Sequence, residues 1–285
     1  MLNGRVLSLN CAGGGGRGIL QAGYLNALAD KNIIPDMVFG SSVGTLNACL
    51  YLQGDLGKLN ELWMSIRTSD VYTVNYLNIF QLLYNKNCIF DNSPLKKLIK
   101  KYISYHKVIN SKIPFYIGVT NLTYGWSEIY RADKLSEESF YAVVLASASV
   151  PIAFPPVELS PGVFYGDSGL TNNFNLRPAI SEGADHIILL SPTAKEKNKT
   201  KTISDMFSIL TSVPEYGYLD REISYITKLN EYQDSIPDVR DIEVTVVKPD
   251  VPTKLELLDF DYRGIDRHKA IEDAKIFALS KLSVF

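Results

Sequence analysis

The 285-residue chain is predicted to be an α/β protein, a three-layer α/β/α sandwich around a mostly parallel central sheet. Three observations predict it. Short apolar runs alternate with segments of helical periodicity. The runs are apolar on consecutive residues, as strands are when helices cover both faces of a sheet. And the run Met37-Val38-Phe39 passes through a tight turn straight into a helix, the local grammar of a parallel sheet. A chain of this length lies near the roughly 250–300 residues that one core sustains. One domain over residues 1–285 is therefore expected, with the chemistry-bearing motifs within 6–191 and a helical and strand extension over 203–285.

The first strand is read at Val6 to Asn10, followed by a glycine loop and a helix from Gly18 to Asp30. Met37 to Phe39 forms the second strand, and Val43 to Gln53 the helix after its turn. Val71 to Phe90 interrupts the pattern, being uncharged as far as Asn85 and rich in Tyr and Leu. Strands follow at Phe115 to Thr120 and His186 to Ser191, separated by a shorter run, Val163-Phe164-Tyr165, that stops at a turn. Ala194 to Lys201, with four lysines, is a solvated loop. Ile203 to Leu229 reads as helix broken at Pro214, because a proline cannot donate to the helical ladder. A strand over Ile242 to Val247 and a closing helix over Gly264 to Leu279 complete the chain.

Composition excludes several function classes. A net charge of −2 supplies no field to gather nucleic acid. The longest apolar stretch, Phe140 to Pro156, is broken by Ser147, Ser149 and Pro151 and falls short of the ~18 residues of a membrane span. Val6 to Leu9 is too short for a signal-peptide core. Cys11, Cys49 and Cys88 are odd in number and lack metal-ligand spacing, so neither a disulfide framework nor a metal site is expected. A reducing, cytoplasmic setting fits these features. Cys49 reads as a packing residue and Cys11 as a small neighbour of the glycine loop.

Two glycine motifs carry the chemistry. Gly40-Ser41-Ser42-Val43-Gly44 places a serine where the strand turns into the helix, and the flanking Gly40 and Gly44 leave room for a strained elbow that exposes the hydroxyl. Gly13-Gly14-Gly15-Gly16-Arg17-Gly18 opens a helix, so its backbone N–H groups converge on an anion. That anion is either a dinucleotide pyrophosphate, since Gly13, Gly15 and Gly18 satisfy G-x-G-x-x-G, or the oxyanion of an attacked ester. The second strand favours the ester. It ends in the serine turn, and Asp36 precedes it, where a dinucleotide fold wants an acidic residue at the strand's end. Gly166-Asp167-Ser168-Gly169 supplies an aspartate that reads either as a turn former or as the base for Ser42.

In their order and with their flanks these segments resemble the patatin-like phospholipase family, which pairs a G-G-G-x-R/K-G loop with a G-x-S-x-G serine and a D-G-G/A aspartate. Ala146-Ser147-Ala148-Ser149-Val150-Pro151 and Phe154-Pro155-Pro156-Val157 are similar to the family's stretch before the aspartate, and Leu170-Thr171-Asn172-Asn173 to its continuation. The resemblance extends from Val6 to Ser191. It implies a patatin-like fold, Ser42 as nucleophile, Asp167 as the base of a dyad, and Gly13, Gly14 and Gly15 as oxyanion donors, with Arg17 bracing the loop and Gly16, Gly18, Gly40, Gly44 and Gly169 in support. Ser168 stands where the family has glycine, and Ala12 where it commonly has an acidic residue. A side chain at Ser168 is expected to disturb the aspartate's turn.

A Ser-His-Asp triad would need His106, His186 or His268, none of which lies in a motif. The expected reaction is hydrolysis of phospholipid or lysophospholipid acyl esters through an acyl-enzyme, with no metal, calcium included, and no organic cofactor. Transfer of the acyl group to an alcohol and non-catalytic fatty-acid carriage are the alternatives. For peripheral membrane contact, the sequence offers Tyr72, Tyr76, Leu77, Ile79, Phe80, Leu82, Leu83 and Tyr84 together with Lys96, Lys97, Lys100 and Lys101. Restraint by a lid, an activating ligand, a partner or self-assembly is expected of a phospholipase that shares a compartment with membranes.

Overall fold

The structure, a computed structural model, describes residues 4–74, 87–194, 203–233, 241–251 and 253–283. Its central sheet has the order β10-β9-β1-β2-β5-β8-β7, with β6 also paired to β5. Strands β1 (Leu7–Cys11), β2 (Met37–Gly40), β5 (Phe115–Asn121), β9 (His186–Leu190) and β10 (Glu243–Val247) run parallel. Strands β6 (Trp126–Arg131), β7 (Val157–Ser160) and β8 (Val163–Gly166) add an antiparallel margin. A separate two-residue pair joins β3 (Thr73–Val74) to β4 (Phe90–Asp91).

Successive residues of each parallel strand enter different cores. Leu7, Leu9, Val38, Ile117 and Ile188 belong to one apolar cluster, whereas Met37, Phe39, Tyr116, Ile187 and Leu189 belong to a second. Both faces are thus covered, which is why β2 and most of β5 and β9 read as consecutive apolar residues, while β1 buries Ser8 and Asn10 between its apolar positions. The larger core is roofed by α1 (Ile19–Asp30), α2 (Val43–Leu52), α3 (Leu56–Ser65), α5 (Ser93–Tyr102), α7 (Glu137–Ser147) and α10 (Arg267–Lys281), with the short α4 (Thr68–Val71) and α6 (Tyr105–Asn110) at its margin. The smaller is covered by α8 (Leu176–Ser181) and α9 (Ile203–Gln233). The expected α/β/α layering is present.

Two expectations need correction. The break at Pro214 is absent, because α9 continues through it as a helix of 31 residues, in which a proline removes one hydrogen bond among many. The closing helix begins at Arg267 rather than Gly264. Asp266 caps it by accepting the Lys269 N–H at 3.0 Å, and Gly264, at φ 73°, lies in the preceding turn. Of the proposed membrane segment, residues 75–86 lie outside the described residues, as do 195–201 of the lysine loop. Lys96, Lys97, Lys100 and Lys101 are exposed on α5 while Leu95, Ile99 and Tyr102 pack inward. No helix among the described residues is long and apolar enough to cross a membrane.

Candidate active site

Ser42 stands between the end of β2 and the start of α2 with φ 52° and ψ −131°, a strained backbone for a residue with a Cβ. Its surroundings enforce the turn. The Ser42 N–H donates to Ser147 Oγ at 3.1 Å, and that hydroxyl pairs with Thr45 Oγ1 at 2.8 Å. At Gly44 a Cβ would sit 2.2 Å from the Cys11 carbonyl oxygen, so the helix can approach β1 this closely only with glycine there.

The glycine loop lies against this elbow. A Cβ on Gly13 would meet Ser42 Cβ at 2.7 Å. The Gly13 N–H is already engaged, donating to Asn173 Oδ1 at 2.7 Å, whereas the N–H groups of Gly14 and Gly15 donate to no group among the described residues. Gly15 has φ 54°, and a Cβ there would lie 1.9 Å from the Leu257 carbonyl oxygen. Gly16 N–H donates to that same oxygen at 2.9 Å, and Arg17 Nε reaches Leu255 O at 3.1 Å. The segment Leu255–Tyr262 therefore packs directly against the loop. Gly18 admits Val43 and Trp63 at the same corner, and Gly40 leaves room for the Thr45 backbone.

Asp167, at the end of β8, is 125 residues from Ser42 in sequence and adjoins it in space. Its N–H donates to Ser149 O and its carbonyl accepts from Thr120 Oγ1, both at 2.8 Å. Oδ1 accepts the Gly169 N–H at 2.7 Å, while Oδ2 is buried without a partner. Burial pushes the carboxyl up to about 6, opposed by the Ser42 hydroxyl and by the Gly169 N–H. Ser168 does not disturb the turn. It lies in a one-turn 3-10 helix, Ser168–Leu170, at negative φ, so no glycine is needed.

The histidines are elsewhere. His106 is exposed beside Glu137, His186 packs against Thr245 near the far end of β9, and His268 is exposed on α10. Among the described residues no group of three or more His, Cys, Asp or Glu side chains could hold a metal ion. Burial raises the Cys11 thiol to about 12, which leaves it inert.

Beside Ser42 opens an apolar pocket of about 50 Å³, walled by Val43, Leu46, Trp63, Ile66, Leu258 and Phe260 among others. Asn47 fixes one wall, donating to Gly18 O and Gln21 Oε1 and accepting from Trp63 Nε1 at 2.9 Å. Sequence reasoning assigned no task to Ser147, Asn173 or the strap Leu255–Tyr262. The first two stood in motifs already singled out, while the strap has no periodicity to betray it.

The sequence model described as patatin-like phospholipase matches residues 9–180. The chain belongs to this family. Similar curated proteins include patatin-like phospholipase domain-containing protein 7 of Mus musculus and protein 6 of Homo sapiens, each 24% identical over 213 residues, or 73% of this chain. Lysophospholipase NTE1 of Scheffersomyces stipitis is 22% identical over 245 residues, or 81% of the chain. The chain spans only about 15% of the length of each. Among solved structures, VipD from Legionella pneumophila aligns with a TM-score of 0.45 at 14% identity, covering 98% of this chain and 66% of that one. As a patatin-like phospholipase family member, the chain shares its family model across β1, the glycine loop, the elbow and Asp167; the strap lies outside the match.

Proposed function

We propose that the protein hydrolyses acyl esters of phospholipids or lysophospholipids through a Ser42–Asp167 dyad. One observation carries the reading: a strained serine adjoins a buried carboxylate, packs against a glycine loop in which the Gly14 and Gly15 N–H groups make no hydrogen bond to the described residues, and opens onto an apolar pocket. Asp167 accepts the Ser42 proton as the hydroxyl oxygen attacks the ester carbonyl. The N–H groups of Gly14 and Gly15 receive the developing oxyanion, and Gly13, tied to Asn173, anchors the loop behind them. Collapse of the tetrahedral intermediate expels the alcohol, which takes the proton from Asp167. Water, deprotonated by Asp167, then cleaves the acyl-enzyme and frees the fatty acid. A carboxyl poised near 6 is ionised at neutral pH yet basic enough to assist.

The test is fatty-acid release from mixed phospholipid and lysophospholipid vesicles in the presence of a metal chelator. Ser42→Ala and Asp167→Asn are each expected to lower release by at least about a thousandfold. Retention of activity in Asp167→Asn would refute the dyad, and an ester of an added alcohol in place of free fatty acid would identify transfer.

A further inference from the structure

We propose that Tyr262, which lies in the strap outside the family match, is a positioning residue for the oxyanion donors: its hydroxyl holds the Gly16 carbonyl and thereby aims the Gly14 and Gly15 N–H groups at the reacting ester. This rests on the hydrolase reading above. Gly13 to Gly16 are four glycines in succession, the residues with the widest backbone freedom, and no side chain among them can fix where an N–H points. Oxyanion donors stabilise a transition state only when they are aimed before the charge appears. The aim must therefore come from groups outside the loop. On its N-terminal side Asn173 Oδ1 supplies one hold, on the Gly13 N–H at 2.7 Å. On its C-terminal side the strap supplies the other.

Backbone meets backbone at that side. A Cβ on Gly15 would lie 1.9 Å from Leu257 O, and one on Gly16 2.3 Å from Asp259 O and 2.6 Å from Glu256 O. The Gly16 N–H donates to Leu257 O at 2.9 Å, and the Gly16 carbonyl accepts the Tyr262 hydroxyl in addition to the Ile19 N–H at the start of α1. Tyr262 is itself firmly held. Its backbone has φ 52°, a strained value for an aromatic residue, and its side chain is buried. Trp63 meets the ring edge-on with centroids 6.5 Å apart, and the Arg267 guanidinium lies over it at 4.8 Å. That guanidinium also donates to five carbonyl oxygens: those of Trp63, Met64 and Ile66 at the end of α3, and those of Phe260 and Asp261 just before Tyr262. Burial raises the Tyr262 hydroxyl above its ordinary range, so at neutral pH it stays protonated and a donor. Backbone strain persists where the surroundings over-determine it, and here they deliver one hydroxyl to one loop carbonyl.

Tyr262→Phe removes that hydroxyl while keeping the ring, its Arg267 stack and the Ile19 N–H on the Gly16 carbonyl. Tyr105→Phe is the control, because it deletes a bond of the same kind, Oη to Leu135 O at 2.7 Å, on α6. Both are measured for lysophospholipid hydrolysis and for inhibition by two substrate analogues, a trifluoromethyl ketone and an ether. Ser42 Oγ adds to the ketone carbon as its proton passes to Asp167, and the ketone oxygen becomes an oxyanion facing the loop; the ether has no carbonyl to attack. Tyr262→Phe is expected to lower kcat by about 10- to 30-fold with KM within about twofold of wild type, less than the loss of about 10²–10³ when a donor is removed outright. Ketone binding should weaken by the same factor and ether binding not at all, while Tyr105→Phe matches wild type throughout. A kcat within about twofold of wild type, or equal weakening of ketone and ether, overturns the positioning role. Hydrolysis that survives Ser42→Ala, or that is absent throughout, overturns the hydrolase reading instead. Hydrogen exchange then decides the hold on the loop: Gly15 and Gly16 amides that exchange faster in Tyr262→Phe than in Tyr105→Phe support it, and equal exchange refutes it.

Discussion

In the proposed mechanism, Asp167 is the residue where function and stability oppose each other most directly. Its carboxyl is raised from 3.8 to about 6 by burial, so the folded protein holds the proton more tightly than the unfolded chain. The stability this contributes is complete below about pH 4 and is lost as pH rises through about 6. In the proposed mechanism catalysis runs the other way, because a base works only when ionised. The expected kcat/KM profile rises with one ionisation near pH 6 and is flat above it. Asp167→Asn removes the buried charge, so at about pH 8 it should be more stable than wild type by on the order of 1–3 kcal/mol, and melt correspondingly higher, while losing activity. A lower melting temperature for this variant, matched against wild type by calorimetry, would show that the ionised carboxylate is stabilised by its surroundings. Much of this site was legible as sequence. Ser42 and the glycine loop follow from a strand–turn–helix grammar, and Asp167 needed the family's motif order because nothing local separates a catalytic aspartate from one that merely turns the chain. The engagement of the Gly13 N–H by Asn173 was not legible, since it joins residues 160 apart.

Among the elements, the buried parallel strands were the readable ones, because both of their faces are covered and most of their residues are apolar. Strands β6 and β7 escaped notice for the converse reason: their residues are largely half-buried or exposed, so no run of consecutive apolar residues marks them. The attachment of α9 was equally hidden. Glu222 on that helix is buried and accepts two bonds from Arg177 on α8, Nη2 to Oε1 at 2.9 Å and Nε to Oε2 at 3.1 Å. Burial raises the Glu222 carboxyl and the guanidinium opposes it. Arg177→Ala leaves that carboxylate without its partner and is expected to cost about 2–3 kcal/mol in urea unfolding, at the low end for a buried pair because Arg177 is half exposed. Adding Glu222→Gln should recover most of the loss; if it does not, the helix is held by its apolar contacts alone.

Across the whole molecule, helix α10 is built into the same core as the helix that follows the glycine loop. Helices α1 and α10 approach so closely at Gly23 that a Cβ there would lie 2.3 Å from Ile271 O and 2.7 Å from Lys275 N. Ile271, Ala274 and Ala278 are buried in that contact's core. Gly23→Val should therefore force the helices apart and lower stability by about 3 kcal/mol or more, with one unfolding transition retained. Two transitions, with only the later residues unfolding early, would instead mark the C-terminal segment as a separate cooperative unit.

Both sides of the Gly16 peptide unit are gripped by the strap, its N–H by Leu257 O and its carbonyl by the Tyr262 hydroxyl. Gly15, whose N–H faces the reacting carbonyl in the proposed mechanism, is the next residue along. A single peptide unit therefore links the strap to the loop that the proposed mechanism relies on. Any substitution that loosens the strap is thus felt at the glycine loop, however far apart the two lie in sequence.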